Sequence, residues 1–445
     1  MDFPYIRAWV AAILGACLFS LVATHPGGGQ SEGEIDFAPR AGLRHHPRPF
    51  PLGPDEPRPS YYLYVWCSPD DAAAPDFVAT FAATSLRDGQ PPIYLGRTVI
   101  PTRGNEAHHV SVSRDGRILF AGGLLSFRHD QDSNFFFDLR NPARPRYLRS
   151  SRPRNSVATD AAYSLANGGF LVTMMGGRDS GGGGRVVEYD AQLNLVGEYP
   201  RRAHDVPAGF HPHGLAVDEA HNLMITSDYV DPHSTLHPTA GVLTGNTVRV
   251  WDFAARRITH TLVVNATVQG VMDVALVGTT HDCPGCVIAS SASDGRLYLV
   301  DPLRGHTQVA FDSGITGAGF HVIMTNRRRD RLWVTAALTG AIYMLDVSDP
   351  YNVRFLSVLR MGATATPHFI TLSPDEATLV VSDYFVDQHD FGVVRCPGDK
   401  VVHFVALGTS SMEVISAMDL DFRTLFPDLG VVNPHGMALV PTSIE

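Results

Sequence analysis

Seven residues spread along the 445-residue chain are of types that bind metal ions or move protons: His109, Asp160, His213, Asp273, His321, His368 and His435. Each leads a short stretch in which apolar and polar residues alternate, as in "HGLAVDEAHNLMITSD" from His213 and "PHFITLSPDEATLVVSD" from Pro367. The 326 residues from His109 to His435 make six steps of about 54. Five of the seven are histidines, so His109, His213, His321, His368 and His435 form the expected ligand set for a metal ion. A group of imidazoles with no thiolate suits copper, iron or zinc better than magnesium or calcium. Asp160, Asp273 and Glu106 are the candidate catalytic carboxylates, placed to orient a ligand imidazole or to carry a proton. His108 and His211 are expected to support the ligands from behind. Neighbouring residues of a strand face opposite sides, so His108 should point away from His109. The competing reading is that these histidines only cap strand ends.

The elements that must position these residues read as short strands. "YYLYVWC" (Tyr61–Cys67), "RILFAGGL" (Arg117–Leu124), "TVRVWDF" (Thr247–Phe253) and "AIYMLDVSDP" (Ala341–Pro350) are rich in β-branched and aromatic residues and alternate. One unit recurs: a polar residue, a strand, a turn and a second strand. It begins at His108, Thr159, His213, Met272, Phe320 and Pro367, and ends as a lone first strand, "NPHGMALV", from Asn433. A blade of four strands needs about 40–50 residues plus loops, so the repeat predicts an all-β, seven-bladed propeller. The truncated last copy predicts ring closure, with the strands after Tyr61 completing the seventh blade and removing the open edges. In such a ring the first strand of each blade lines the central channel.

Composition agrees. Gly (41) and Pro (31) are abundant, which favours turn-rich β structure over helix. The net charge is −10 and Lys400 is the only lysine, which argues against a nucleic-acid partner. Arg7 precedes the uncharged apolar run Ala8–Ala23, so residues 1–25 read as a secretory signal, cleaved or retained as an anchor. Residues 26–60 read as a flexible leader containing His45 and His46, and 61–445 as the propeller. The protein is thus expected to be secreted or extracytoplasmic, with no membrane partner beyond the signal segment. Cys67, Cys283, Cys286 and Cys396 remain after signal removal. The Pro-Gly turn of "HDCPGC" predicts either a hairpin-tip disulfide or a pair of free thiols. "GGRDSGGGGR" (Gly176–Arg185) joins two strands with no following helix, so it reads as a loop rather than a phosphate cradle.

Several stretches resemble the selenium-binding protein and methanethiol oxidase family. They are "YYLYVWCSPDDAAAPDFVATF" from Tyr61, "IYLGRTVIPTRGNEAHHVS" from Ile93, "HNLMITSDY" from His221, "GNTVRVWDFAARRITHTLVV" from Gly245 and "YMLDVSDPYNVRFLSVLRMG" from Tyr343. The matches run in the family's order from about Tyr61 to Asp387. The resemblance implies a seven-bladed propeller. It further implies an exported, copper-dependent oxidase that turns methanethiol, O₂ and water into formaldehyde, hydrogen sulfide and hydrogen peroxide. Carried over, the family's His-His pair becomes His108 and His109 and its acidic residue Glu106. The chain departs from the family after that pair: "HHVSVSRDGR" runs on into a strand with no cysteine-bearing loop, so selenium binding by that route is not expected. The resemblance therefore sets the expectation of a copper site acting on a small-molecule thiol with O₂. The rivals are a non-haem iron oxygenase with an axial histidine site and a non-catalytic binding or scaffold propeller, in which the histidines are dispensable.

Overall fold

The computed structural model describes residues 59–442 apart from 72, 237–240, 279–282, 363, 384–385, 388–393 and 396–397. The expected signal, nearly all of the leader and Cys396 lie outside the described residues. The described chain forms seven antiparallel sheets in a ring, each a propeller blade of four strands with one short strand added to the sixth. The innermost strands are, in order, Ala107–Val112, Ser156–Ser164, Pro212–Asp218, Val271–Leu276, Phe320–Thr325, Pro367–Leu372 and Val432–Pro441. The closure expected from the truncated last repeat is present. Val432–Pro441 pairs antiparallel with Tyr61–Pro69, from Tyr61 opposite Pro441 to Pro69 opposite Val432. Pro75–Ala83 and Ile93–Arg103 then complete that blade.

Apolar side chains fill the spaces between blades. Trp66 on the seventh blade packs between Phe135 and Phe137 of the first, with ring centroids 5.7 and 6.0 Å away. Its indole N–H donates to the Gly122 carbonyl at 2.8 Å, which satisfies the one polar atom that burial would strand.

Every innermost strand carries the same irregularity. Two of its residues stand opposite one residue of the second strand, which is a β-bulge. The pairs are His108–His109 opposite Gly122, Asp160–Ala161 opposite Thr173, His213–Gly214 opposite Ser227 and Met272–Asp273 opposite Ser290. His321–Val322 opposite Thr335, His368–Phe369 opposite Ser382 and His435–Gly436 opposite Trp66 complete the ring. A bulge removes ladder bonds and leaves backbone groups to be satisfied otherwise. In five of the seven blades a hydroxyl on the second strand does so. Ser290 accepts the Asp273 N–H at 2.9 Å and donates to the His321 carbonyl of the next blade at 2.7 Å. Ser227 and Thr335 repeat this in their own blades, joining Gly214 to Met272 and Val322 to His368. Thr173 and Ser382 donate to the carbonyls of His213 and His435. These buried hydroxyls therefore tie the second to the seventh blade in succession.

The tip of the fourth blade resolves the alternative left open for its cysteines: Cys283 and Cys286 are disulfide-bonded. Cys67 is buried with its thiol on the Val65 carbonyl, and burial pushes its pKa well above the usual value. In the sixth blade, His403 donates from Nδ1 to Asp419 and from Nε2 to Asp399, both at 3.0 Å. Burial opposes its charge, but the two carboxylates outweigh burial and push the pKa up to about 9.

Two outcomes follow. Ser290→Ala should cost about 1–3 kcal/mol in urea unfolding, because it strands a buried N–H and weakens a carbonyl contact; no loss would contradict the role given to the hydroxyl. The His403 interaction stabilises fully below the unfolded pKa of about 6.5 and is lost as pH rises through about 9. The wild-type melting temperature should fall across that window, and His403→Gln should flatten the fall.

Candidate metal centre

The bulges decide which side chains enter the channel. The first bulge positions are His108, Asp160, His213, Met272, His321, His368 and His435. Five of these coincide with the residues expected from the repeat. In the first and fourth blades the expectation was one residue late, with His109 in place of His108 and Asp273 in place of Met272. An added residue shifts facing by one, which strict alternation cannot register.

His108 is therefore not a support turned away from the site. Its ring stacks on that of His109, 4.3 Å between centroids and 6° between planes, and on His435 at 4.7 Å and 10°. Both residues of the bulge enter the same cluster. His368 packs 4.9 Å from His435, and His321 meets His368 with their Nδ1 atoms 2.9 Å apart. Six imidazoles thus converge, all buried.

Asp160 organises one side. Its Oδ2 lies 3.0 Å from Nε2 of both His108 and His213, and its Oδ1 lies 3.1 Å from Nδ1 of His109. Burial disfavours its charge, but the imidazoles of His213, His109 and His108 outweigh burial and hold it well below the usual carboxylate range. The histidines shift the other way. Burial brings His213 down to about 3 and His321 to about 4. Burial, aided by neighbouring imidazoles, holds His368 and His435 well below the ordinary value and lowers His108. These rings are therefore neutral near pH 7, the state in which imidazole binds metals.

A neutral imidazole that donates one N–H keeps a lone pair on the other nitrogen. Nδ1 of His109 and Nε2 of His213 stand beside the same carboxylate. Their opposite atoms, Nε2 of His109 and Nδ1 of His213, are buried and make no hydrogen bond within the protein. A carboxylate behind an imidazole is the arrangement found behind histidine metal ligands. The residues present fit a transition-metal ion.

The remaining expectations fare differently. Asp273 does not orient an imidazole. Its Oδ1 accepts the Val274 N–H and its Oδ2 the Ile323 N–H, so it joins the fourth and fifth blades through backbone. Burial pushes its pKa up to about 6. His211 does not support the cluster either; its ring bonds the Met175 carbonyl at 3.0 Å. Pro212 separates it from the bulge that turns His213 inward. Glu106 is buried at the start of the first blade, and its charge acts on His108, Asp76 and Arg128.

Two neighbours escaped the sequence reading. Tyr229 sets its ring edge-on against His213 at 5.0 Å. It fits because residue 270 is glycine: with φ at +91°, an added Cβ would come within 2.8 Å of the tyrosine ring. Phe369 packs 5.0 Å from His109. Tyr229 lies at the end of "HNLMITSDY", the one local signal that could have pointed to it.

No protein-family model matches the chain, and no curated protein matches it in sequence. Solved structures resemble it in fold. A hypothetical selenium-binding protein from Sulfolobus tokodaii superposes with a TM-score of 0.70 at 13% identity, over 88% of this chain and 96% of that one. The periplasmic gluconolactonase of Pseudomonas aeruginosa gives 0.60 at 12% identity, over 86% and 99%. A functionally unknown protein from Desulfotomaculum acetoxidans gives 0.53 at 8% identity, over 85% and 99%. At these identities the likeness establishes the propeller fold.

Protonation offers a direct check on the metal-free protein. With ¹⁵N-labelled histidine, His213 and His321 should stay neutral from pH 8 down to pH 5, because their midpoints lie near 3 and 4. Midpoints close to 6.5 would show that the cluster is wet and open rather than buried.

Proposed function

We propose that the channel cluster is a copper centre and that the chain is an exported oxidase of a small thiol such as methanethiol, with O₂ as acceptor. The observation that carries this reading is the convergence of buried His108, His213 and Asp160, whose donor atoms all lie within 4.8 Å of one another. The family resemblance supports the reaction class. The apolar N-terminal run supports an extracytoplasmic location, where copper enzymes of this kind act.

His108, His109, His213, His321, His368 and His435 would hold the metal. When bound, copper supplies the redox couple through which a thiol is oxidised and O₂ is reduced. Asp160 hydrogen-bonds His108 and lies within 3.0 and 3.1 Å of a nitrogen of His213 and of His109, which would fix ring orientation and raise the basicity of the far nitrogens. Burial keeps His108, His213, His321, His368 and His435 neutral, so no proton competes for their nitrogens. On the same side, Leu124, Leu125, Val157, Ala158, Met175 and Val230 form an apolar cluster against which Phe127 and Tyr229 pack. That surface excludes water beside His213 and favours a small, weakly polar substrate over a sugar or a charged acid. Cys67 takes no part, since its thiol is buried and bonded to backbone.

The test is copper reconstitution of the exported chain, followed by oxygen uptake and formaldehyde release with methanethiol. The wild type should turn over, and Asp160→Asn should lower activity by about 10–100-fold, as loss of a carboxylate behind metal ligands does. Binding of iron without thiol oxidation would move the assignment to an iron oxygenase. A protein that takes up no metal would be a binding propeller with structural histidines.

A further inference from the structure

The chain carries a single Asn-x-Ser/Thr tripeptide, Asn265-Ala266-Thr267. Such a tripeptide accepts N-linked sugar when it is exposed in an exported protein, and it occurs by chance in many chains that are never modified. What separates the two cases is where the tripeptide stands and what its side chains do.

This one stands on a turn. The loop joins the outermost strand of the third blade, Arg257–Val263, to the innermost strand of the fourth, Val271–Leu276. Val264 and Val268 flank it, both buried in the core between those blades. The Val268 N–H donates to the Asn265 carbonyl at 3.2 Å, which closes a β-turn with asparagine in its first position. Between the two valines, Ala266 and Thr267 are exposed and Asn265 is half-buried. A fixed base thus presents the tripeptide to solvent.

Within the turn, asparagine and threonine are joined directly. Asn265 Oδ1 accepts two hydrogen bonds at 3.0 Å, one from the Thr267 N–H and one from the Thr267 hydroxyl. Two donors on Oδ1 draw electron density out of the amide and ease loss of a proton from Nδ2. Nδ2 itself has no hydrogen-bond partner among the described residues, so no contact has to break before it reacts. The threonine is therefore part of the acceptor. The same end of the blade exposes apolar side chains. Val263 is exposed and stands opposite Thr247, and the segment leading to Thr247 exposes Val242 and Leu243. A bulky, hydrophilic group on Asn265 would shield this surface from self-association.

We infer that Asn265 is an N-glycosylation site. The inference rests on the extracytoplasmic location proposed above and on nothing in the metal centre. Nδ2 attacks the anomeric carbon of a sugar carried on a polyprenyl diphosphate. The bond from Nδ2 to that carbon forms, and the bond from the carbon to the diphosphate oxygen breaks. The diphosphate leaves, and the amide proton passes to a base of the transferring enzyme. Nothing is oxidised or reduced. The sugar donor and the transferase belong to the secretory pathway, and this chain supplies the acceptor.

The measurement is peptide mass spectrometry of the full chain, produced in a eukaryotic secreting host under its own N-terminal segment. Samples are compared before and after an amidase that releases N-linked sugar. The peptide spanning Asn265 should carry the mass of a hexose and N-acetylhexosamine chain, and treatment should remove it and leave aspartate at that position. Asn265→Gln and Thr267→Ala should each abolish the modification, and Thr267→Ser should retain it, because serine keeps the hydroxyl. Secreted chain with an unmodified Asn265 would overturn the inference and leave the exported location standing. Chain held inside the cell and unmodified would overturn both. The wild-type peptide decides alone, so a variant that fails to fold does not rescue the proposal.

Discussion

The bulge in each innermost strand is the constraint on which the rest depends. A regular strand would turn neighbouring side chains to opposite faces and send half of these polar residues into the packing between blades. Two residues opposite one break that rule at the same depth in all seven blades. The break costs ladder bonds, and the second-strand hydroxyls of Thr173, Ser227, Ser290, Thr335 and Ser382 replace them while reaching across to the next blade. The feature that aims the imidazoles is thus the one that links the ring. Glycine appears in the bulges where blades come closest: a Cβ on Gly214 would come within 2.5 Å of Asp273 Oδ1, and one on Gly436 within 2.3 Å of the His108 carbonyl.

Much of this was legible in the sequence. Alternation marked the strands, the spacing of polar leaders gave seven blades, and the lone strand at Asn433 gave the closure. The polar residues of the site were found because they begin strands. What alternation could not supply was the extra residue of each bulge. That is why His108 was expected to face away and Asp273 to face in, when the first bulge positions are His108 and Met272. Tyr229 was missed for a different reason. It touches His213 through a contact between separate segments of the chain, and such contacts leave no local pattern.

Electrostatics then gives the cluster its character. One carboxylate among six imidazoles is a small charge in a buried place. Asp160 remains ionised because three imidazoles surround it, and the rings remain neutral because burial disfavours the protonated form. The charge of Asp160 works against the neutral form of His213 and His108, and burial outweighs it. The result is a set of neutral nitrogen donors held in fixed orientations, facing a channel whose nearby wall is apolar on the side of Leu124, Met175 and Tyr229.

The most direct test is a crystal structure of the copper-loaded protein with anomalous diffraction collected on both sides of the copper edge. The account expects edge-dependent density inside the channel, within bonding distance of His108 and His213. Copper found only at surface sites, with the six imidazoles bonded to one another or to water, would contradict it.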